Sequence, residues 1–515
     1  MKITAKIFYL FLFLSLASMG LSQQKTPVRL ELNAKMSEDS YQLIPCGEQG
    51  VVIFYEEDEV LENDRKNWHF ALFDSSLRES WIMVSELQRG MSFYEEALLD
   101  DFLYLFFIDV EGRKSADADY QILKIRLSDG DTTLINGNYQ EKAEPSAFKV
   151  IGNKVWIGLA QKKSTAQLAT LDLRSGSGRL IDIDLPDHNI ISGIFPDSLH
   201  QQVHIVIQNY TSKLQSGLFY QSYSLSGELI RSGEIRAVLQ DHYLNEAEVV
   251  IREDDLYFLG TYNTERSKTP FEGEDGLPFA AGFYIAKISD QQQEFINFYN
   301  FLEFENLYNS LSGRDIMRVR KKAEKQKDTE EEYSLNYNLL LHSAMEYNGD
   351  FILLAEAFYP EYRTVTNMYY DYYGRLMPQT YTVFDGYKYF NGIIAGFDQE
   401  GKLIWDNDIE IWNVLTFNLD KYLNFFVNNG ELALFYTWEG KINYKVIDIA
   451  SQLSDADQVI LDLKYRKDRV LDETGSRIKH WYDKYFIAYG YQEIKNNSLA
   501  NSKRTVFYVN KVAFQ

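Results

Sequence analysis

The sequence predicts an all-β protein built from repeated units, and three observations lead to this prediction. Tyr (37), Phe (33) and Trp (7) are unusually frequent among the 515 residues, and aromatic residues favour strands. Runs of five or six apolar residues recur after polar turns, which is typical of strands buried on both faces. Alternating segments with Asp-Gly or Ser-Gly turns follow several of these runs and indicate hairpins with one exposed face.

The apolar runs are regularly spaced along the chain. They begin at Val51, Phe102, Val155, Val203, Leu256, Phe351, Leu432 and Tyr485. Five of the seven intervals are 48 to 53 residues long, and the two longer ones contain insertions. A constant period of this size is typical of β-propellers, whose inner strands are sandwiched between neighbouring blades. We predict one propeller domain over residues 23–515, with about eight four-stranded blades and seven as the alternative.

One strand–turn–strand segment carries a family resemblance. FDQEGKLIWD (Phe397–Asp406) resembles the repeating units of pyrroloquinoline-quinone enzymes and WD-repeat proteins. As a whole the chain resembles the β-propeller superfamily, in particular its exported bacterial members. It has no Gly-His…Trp-Asp signature, no kelch double glycine and no sialidase-type aspartate box. The resemblance therefore implies an architecture and assigns no function to individual residues.

The two ends of the chain supply complementary parts of one unit. The last unit ends at VFYVNKVAF and lacks a final strand, while Val28–Asn33 has strand character and precedes the first unit. Pairing the two would close the ring and remove exposed strand edges. We therefore predict that Val28–Asn33 completes the last blade.

The first 22 residues predict export. Lys2 and Lys6 precede the apolar stretch Ile7–Leu16, and small residues follow up to Ser22, where we expect cleavage. The apolar stretch is short for a membrane span, and no later stretch reaches the required length. We expect the mature chain to be periplasmic, on the outer surface or secreted, without a transmembrane anchor. The single cysteine, Cys46, excludes an internal disulfide and is expected to be a buried apolar residue.

The charge balance restricts the class of partner. The chain has 52 Lys and Arg against 75 Asp and Glu, a net charge of −23. Phosphates would be repelled, so we predict no nucleic-acid partner. A protein or glycan partner in the envelope or outside the cell is compatible with this charge.

The long insertions are expected on one face of the propeller. If the strands of a blade are labelled a to d from the axis outward, the a–b and c–d turns share one face. The b–c and d–a connections share the other, which we call the b–c/d–a face, and all the long insertions fall there: 263–280, 303–332 and 359–390. Long loops on a rigid framework commonly form binding sites. Residues 314–327 of the second insertion favour a helix with seven basic residues, either a latch for an acidic surface or a solvated helix face.

The third insertion is rich in tyrosine, a residue that suits binding surfaces because it joins a large apolar ring to a polar hydroxyl. Tyr381 and Tyr389 belong to its nine tyrosines. A loop packed on itself over the channel mouth is the alternative interpretation. The candidate binding residues are Tyr359, Tyr362, Arg363, Tyr369, Tyr370, Tyr372, Tyr373 and Tyr387.

The sequence does not reveal a catalytic or metal motif. His200 and His204 are four residues apart but lack the context of a zinc helix, and Asp117, Asp119, Asp472 and Glu473 form no complete calcium loop. We predict no metal and no cofactor.

Two functions stay open, besides an architectural role with no open ligand site. The first is a non-enzymatic interaction module of the cell envelope that uses the insertions over blades five and six. The alternative is a carbohydrate-active enzyme with a pair of carboxylates at the channel mouth. The carboxylates considered are Glu95, Glu96, Glu246, Glu248, Glu361 and Asp371.

Overall fold

The architecture is taken from a computed structural model. It describes residues 28–35, 40–111, 118–139, 143–161, 165–239, 241–270, 277, 279–307, 337–498 and 502–514. The predicted signal segment 1–22 and the predicted helix at 314–327 lie outside these residues.

The first four blades are four-stranded antiparallel sheets in which consecutive strands pair in chain order. Blade one contains β2 (Gln42–Pro45), β3 (Val51–Val60), β4 (Arg65–Phe73) and β5 (Glu79–Gln88). Blade two contains β6 (Met91–Leu99), β7 (Phe102–Asp109), β8 (Tyr120–Arg126) and β9 (Thr132–Gly137). Blade three contains β10 (Glu144–Ile151), β11 (Lys154–Ala160), β12 (Gln167–Asp172) and β13 (Gly178–Asp182). Blade four contains β14 (His188–Asp197), β15 (Gln202–Thr211), β16 (Leu214–Ser224) and β17 (Leu229–Ile235).

The other four blades follow the same plan, except that blade six is enlarged to seven strands. Blade five contains β18 (Tyr243–Arg252), β19 (Asp255–Asn263), β21 (Gly282–Ser289) and β22 (Gln292–Asn300). Blade six contains β20 (Phe279–Ala280), β23 (Tyr337–Leu341), β24 (Met345–Tyr347), β25 (Asp350–Tyr370), β26 (Leu376–Phe397), β27 (Leu403–Glu410) and β28 (Leu415–Thr416). Blade seven contains β29 (Asn424–Asn428), β30 (Glu431–Trp438), β31 (Lys441–Asp448) and β32 (Ser454–Ile460). Blade eight contains β33 (Arg469–Tyr482), β34 (Tyr485–Lys495), β35 (Lys503–Ala513) and β1 (Arg29–Asn33).

The blades form a closed ring. A buried apolar cluster joins each blade to the next, and another joins blade eight back to blade one. First strands of neighbouring blades, such as β10 and β14, contact one another and therefore lie nearest the axis. The predicted all-β propeller is confirmed: its ring contains seven regular four-stranded blades and the enlarged blade six.

Burial on two sides explains the continuous apolar runs. In the seven regular blades every predicted run forms the second strand, and in blade six the run at Phe351 forms β25, which pairs with the short inner strands β23 and β24. In β25, Phe351 and Leu353 pack toward blade five, whereas Ile352 and Leu354 pack toward blade seven. Because successive side chains of a strand point to opposite faces, a strand between two blades must be apolar at every position.

The ring is closed by the segment predicted to close it. β1 pairs antiparallel with β35, with Arg29 opposite Asn510 and Asn33 opposite Val506. Residues from the two ends of the described chain thus share one sheet. Cys46 is buried with a free thiol, as expected, between blades one and two.

The described connections are unequal on the two faces. The a–b and c–d turns contain two to five residues, whereas the long excursions between β19 and β21, β22 and β23, and β25 and β26 are b–c or d–a connections. A further d–a excursion, residues 411–423, joins blades six and seven. Among the described residues, no helix has the length and apolar character needed to cross a bilayer.

Candidate functional site

The third insertion forms a two-stranded antiparallel ribbon that continues β25 and β26 beyond blade six. Pairing extends from Tyr362 opposite Phe384 to Tyr370 opposite Leu376. We call residues 362–384 the tyrosine ribbon. Its nine residues per strand correspond to a length of about 30 Å at ~3.4 Å per residue.

The prediction of a tyrosine-rich loop is corrected by this pairing. Segments such as Thr364–Thr366 and Tyr381–Phe384 consist of β-branched and aromatic residues, which favour extended backbone. The ribbon accommodates its Pro and Gly residues, because Pro378 lies on a two-stranded element and Gly374 lies in the turn.

The ribbon ends in a turn held by Asp371. Its Oδ1 atom accepts hydrogen bonds from the backbone N–H groups of Tyr373 and Arg375, both at 2.9 Å. These hydrogen bonds, led by that of Arg375, lower the pKa of the Asp371 carboxyl. Gly374 has a φ of 72°, a left-handed conformation that glycine adopts without strain. Asp371 therefore has a structural role at the tip.

The predicted tyrosines occupy different surfaces of the ribbon. Successive side chains of a strand point to opposite faces, so Tyr362 and Tyr370 lie on one face, and Arg363 and Tyr369 on the other. At the tip the Tyr372 and Tyr373 rings meet edge to face with centroids 5.5 Å apart. The fractional exposures of Tyr370, Tyr372 and Tyr373 are 73%, 97% and 78%.

The base of the ribbon is packed differently from its tip. Tyr389 is fully buried, and its hydroxyl donates to the Asp420 carbonyl oxygen at 2.7 Å. Tyr387 is half-buried, with its ring perpendicular to that of Phe358. Tyr359 is exposed at the same end. Tyr387 and Tyr389 thus anchor the ribbon, and most of its exposed aromatic side chains lie beyond them.

Charged residues of blades that are next but one in the ring interact at the central channel. Glu248 of blade five interacts electrostatically with Lys149 of blade three and with Lys421 at the entrance to blade seven. Lys479 of blade eight interacts likewise with Glu96 of blade two. One blade separates the members of each pair, so these charged groups approach one another on the inner side of the ring. The channel is therefore lined by charges of both signs.

Glu246 and Glu248 are the most perturbed of the candidate carboxylates. Burial raises the pKa of each to about 7, and nearby Lys421 reduces the shift. They lie two residues apart on β18, side by side on one strand. Glu95, on β6, accepts a hydrogen bond from Lys149 Nζ at 2.6 Å. The enzyme alternative requires two carboxylates that face each other across an open gap. Glu246 and Glu248 instead lie on the same strand, so the enzyme alternative stays a prediction.

The two candidate zinc histidines belong to a buried hydrogen-bond network. Asp197 Oδ2 is 2.7 Å from His200 Nδ1 and 3.5 Å from His204 Nε2. His204 Nδ1 is 2.7 Å from the Ser222 hydroxyl. Burial lowers the pKa of His204 to about 4, so its ring is neutral at pH 7. No group of three or more His, Cys, Asp or Glu side chains in the described ranges is placed to hold a metal ion.

The candidate calcium residues have protein partners where they are described. Asp119 accepts a hydrogen bond from the backbone N–H of Tyr139 at 2.7 Å, and Asp117 lies outside the described residues. The Glu473 carboxylate accepts from the Tyr508 hydroxyl at 2.7 Å, and Asp472 accepts from the backbone N–H of Glu473.

The connection 411–423 is a functional candidate that the sequence analysis did not identify. Its short strand β28 pairs with β26 at Tyr387 and Lys388, so it lies against the base of the tyrosine ribbon. Trp412 and Phe417 are exposed on it. The signal available in the sequence was the large aromatic residues Trp412 and Phe417 in a short segment, IWNVLTFNLDKYL, that lies outside the regularly spaced apolar runs.

Comparisons with known proteins extend only to the fold. No protein-family model and no curated protein matches the sequence. The polysaccharide lyase Uly1 is similar in structure with a TM-score of 0.40 and 8% identity, over 82% of this chain and 89% of that chain. The β-propeller domain of the Trilobed protease from Pyrococcus furiosus gives 0.33 and 11%, over 82% and 98%. Saccharomyces cerevisiae Sqt1 gives 0.43 and 9%, over 94% and 100%. The chain is a β-propeller, and these similarities assign it no activity.

Proposed function

We propose that this protein is an exported, non-enzymatic interaction module of the cell envelope that binds a protein partner through the tyrosine ribbon. The observation that carries the proposal is the exposure of aromatic side chains on both faces and at the tip of the ribbon. Exposed aromatic clusters of this kind are typical of interaction surfaces.

The shape of the ribbon favours a protein over a small ligand. A two-stranded ribbon is thin and convex, so its side chains become buried only if the partner supplies the concave surface. A protein groove can enclose both faces, whereas a short glycan would cover little of either. The ribbon also has unpaired strand edges beyond Tyr362 and Phe384 within its described sheet, and such edges can pair with a strand of a partner.

The test compares partner capture by matched baits from an envelope extract. In the first variant, residues 364–382 are replaced by Asn-Gly, which preserves the Arg363–Val383 pair and favours a tight hairpin turn. In the second, Tyr370, Tyr372 and Tyr373 are changed to Ala. Tyr465→Ala, an exposed tyrosine outside the ribbon, is the control.

We expect wild type and the control to retain the same partner and both ribbon variants to lose it. With the purified partner, the triple variant should weaken binding by about thirtyfold or more, the effect of losing one strong interface contact of ~2 kcal/mol. Unchanged melting temperatures will show that the propeller remains folded. Equal capture by the trimmed variant would contradict the proposal.

Export is tested separately by intact-mass measurement. Protein recovered from the envelope or the medium should begin at Gln23, because the signal segment is expected to be cleaved after Ser22. A chain that retains Met1 and stays in the cytoplasm would refute this part of the proposal and leave the ribbon interaction to be judged on its own experiment.

A further inference from the structure

A second candidate site lies on the b–c/d–a face, beside the base of the tyrosine ribbon. It is an open groove of about 660 Å³ at blades seven and eight, within the usual size range of small-ligand sites. We call it the lateral groove. Three separate parts of the chain line it: residues 413–422 of the connection between blades six and seven, the turn at Trp438 and Glu439, and residues 470–477 of β33.

Exposed apolar side chains form one part of the lateral groove. Phe417 is 74% exposed, so its apolar ring is available for burial against a ligand. Trp438 is half-buried, and its Nε1–H donates to the Asn413 carbonyl oxygen at 3.2 Å. That hydrogen bond fixes the indole in place and leaves part of its surface toward the groove. An aromatic ring and a fixed indole offer flat surfaces for stacking.

The other part of the groove is polar and held rigidly. The Arg477 guanidinium lies over the Tyr422 ring, 4.4 Å from its centroid. Its Nη2 is 3.4 Å from Asp420 Oδ2, and its Nη1 donates to the Ser476 carbonyl oxygen at 3.3 Å. A guanidinium fixed in this way loses little freedom when it binds a ligand. Donor and acceptor groups are therefore already oriented before binding.

The charges in the groove restrict the ligand. Four acidic residues, Asp420, Glu439, Asp472 and Glu473, line the groove together with a single basic residue, Arg477, so a polyanion would be repelled. Sugar hydroxyls both donate to carboxylates and accept from a guanidinium, and the apolar face of a sugar ring can lie on an aromatic side chain. We propose that the lateral groove binds a short neutral oligosaccharide, with Phe417 as the stacking surface and Asp420 and Arg477 as hydrogen-bonding partners.

The test is isothermal titration of the full mature chain with neutral oligosaccharides. The probes are maltotetraose, cellotetraose, xylotetraose and N-acetylated chitotetraose, each up to about 10 mM, a range that reveals millimolar dissociation constants. Oligogalacturonate and tetralysine serve as anionic and cationic comparisons. The variants are Phe417→Ala and Arg477→Lys. The control is Trp412→Ala, an exposed aromatic on the same connection that does not line the groove.

We expect at least one neutral probe to bind saturably and Phe417→Ala to weaken it about tenfold, the scale of a lost aromatic contact. Arg477→Lys should also weaken it, because an ammonium cannot reproduce the planar donor geometry. Trp412→Ala and the ribbon-trimmed variant should bind as wild type does, which separates this site from the proposed protein interaction. The inference is overturned if no neutral probe binds, if Phe417→Ala binds equally well, or if a charged probe binds more tightly.

Discussion

Glu246 and Glu248 show how the channel changes the pKa of individual carboxyl groups. Both side chains are partly accessible to water, yet protein surrounds them, and burial raises each pKa to about 7 despite Lys421. A glutamate in the unfolded chain titrates near 4.5. Between these two values the folded protein binds more protons than the unfolded chain. Folding stability therefore falls as the pH rises from about 4.5 to about 7.

Replacing Glu246 by Gln should remove this loss of stability. We expect the difference in unfolding free energy, Glu246→Gln minus wild type, to increase from pH 4.5 to pH 8 by up to about 3 kcal/mol. Urea denaturation at the two pH values measures it. Glu400→Gln, in an exposed turn, is the control and should show a far smaller change. A constant difference for Glu246→Gln would show that the carboxyl is not perturbed in the fold.

Irregularities in the first strands are the main finding at the scale of elements. Several first strands contain a register shift, and the residues next to it include Glu95 and Arg477. A β-bulge redirects side chains and increases local twist. The shifts therefore change the direction in which these charged side chains point. They occur at Phe93/Glu95, Pro145/Ala147, Ile191/Gly193, Leu244/Ala247 and Thr474/Arg477.

The tyrosine ribbon is the other distinctive element. The strand ladder of blade six continues into solvent through cross-strand pairs of threonines or of aromatic residues, such as Thr366 with Thr380. Two-stranded hairpins have little stability alone, so the ribbon depends on its base, where Tyr389 is buried. This dependence is why the proposed trimming keeps residues 383–397 intact.

Ring closure is a property of the whole molecule and rests on a buried ion network around β1. The Arg504 Nη2 atom is 2.6 Å from Asp468 Oδ2 and 3.1 Å from Glu31 Oε2. The carboxylate side chains of Asp468 and Glu31 are 0% and 4% exposed. Arg29 donates to Glu31 and to Gln492 at 2.9 and 2.8 Å. The network joins the first described strand to the last blade.

Arg504→Met should destabilise the closed ring. Two buried carboxylates would lose their shared cation, a change that costs about 3–5 kcal/mol in proteins. Arg179→Met is the control, because it breaks an exposed ion pair with Glu228 that is worth at most ~1 kcal/mol. Calorimetric melting temperatures and urea midpoints measure the difference. A variant as stable as the control would mean that strand pairing alone closes the ring.

The sequence by itself determined the repeating architecture and the position of the buried second strands. The run at Phe351 illustrates the reason. Burial between two blades requires apolar residues at every position, and such a run of consecutive apolar residues is visible in the sequence. The closure by Val28–Asn33 was predictable as well, because the last unit lacks one strand. The face that carries the long connections follows from strand order alone.

Only the tertiary structure decided how the candidate sites are composed. Whether a tyrosine-rich segment is a loop or a ribbon depends on pairing between Tyr362 and Phe384, which no local pattern specifies. The channel carboxylates and the lateral groove bring together residues from different blades, such as Phe417 and Arg477. These residues become neighbours only when the ring closes. The physical reason is that contacts between blades join residues far apart in the sequence, whereas strand formation depends on neighbouring residues.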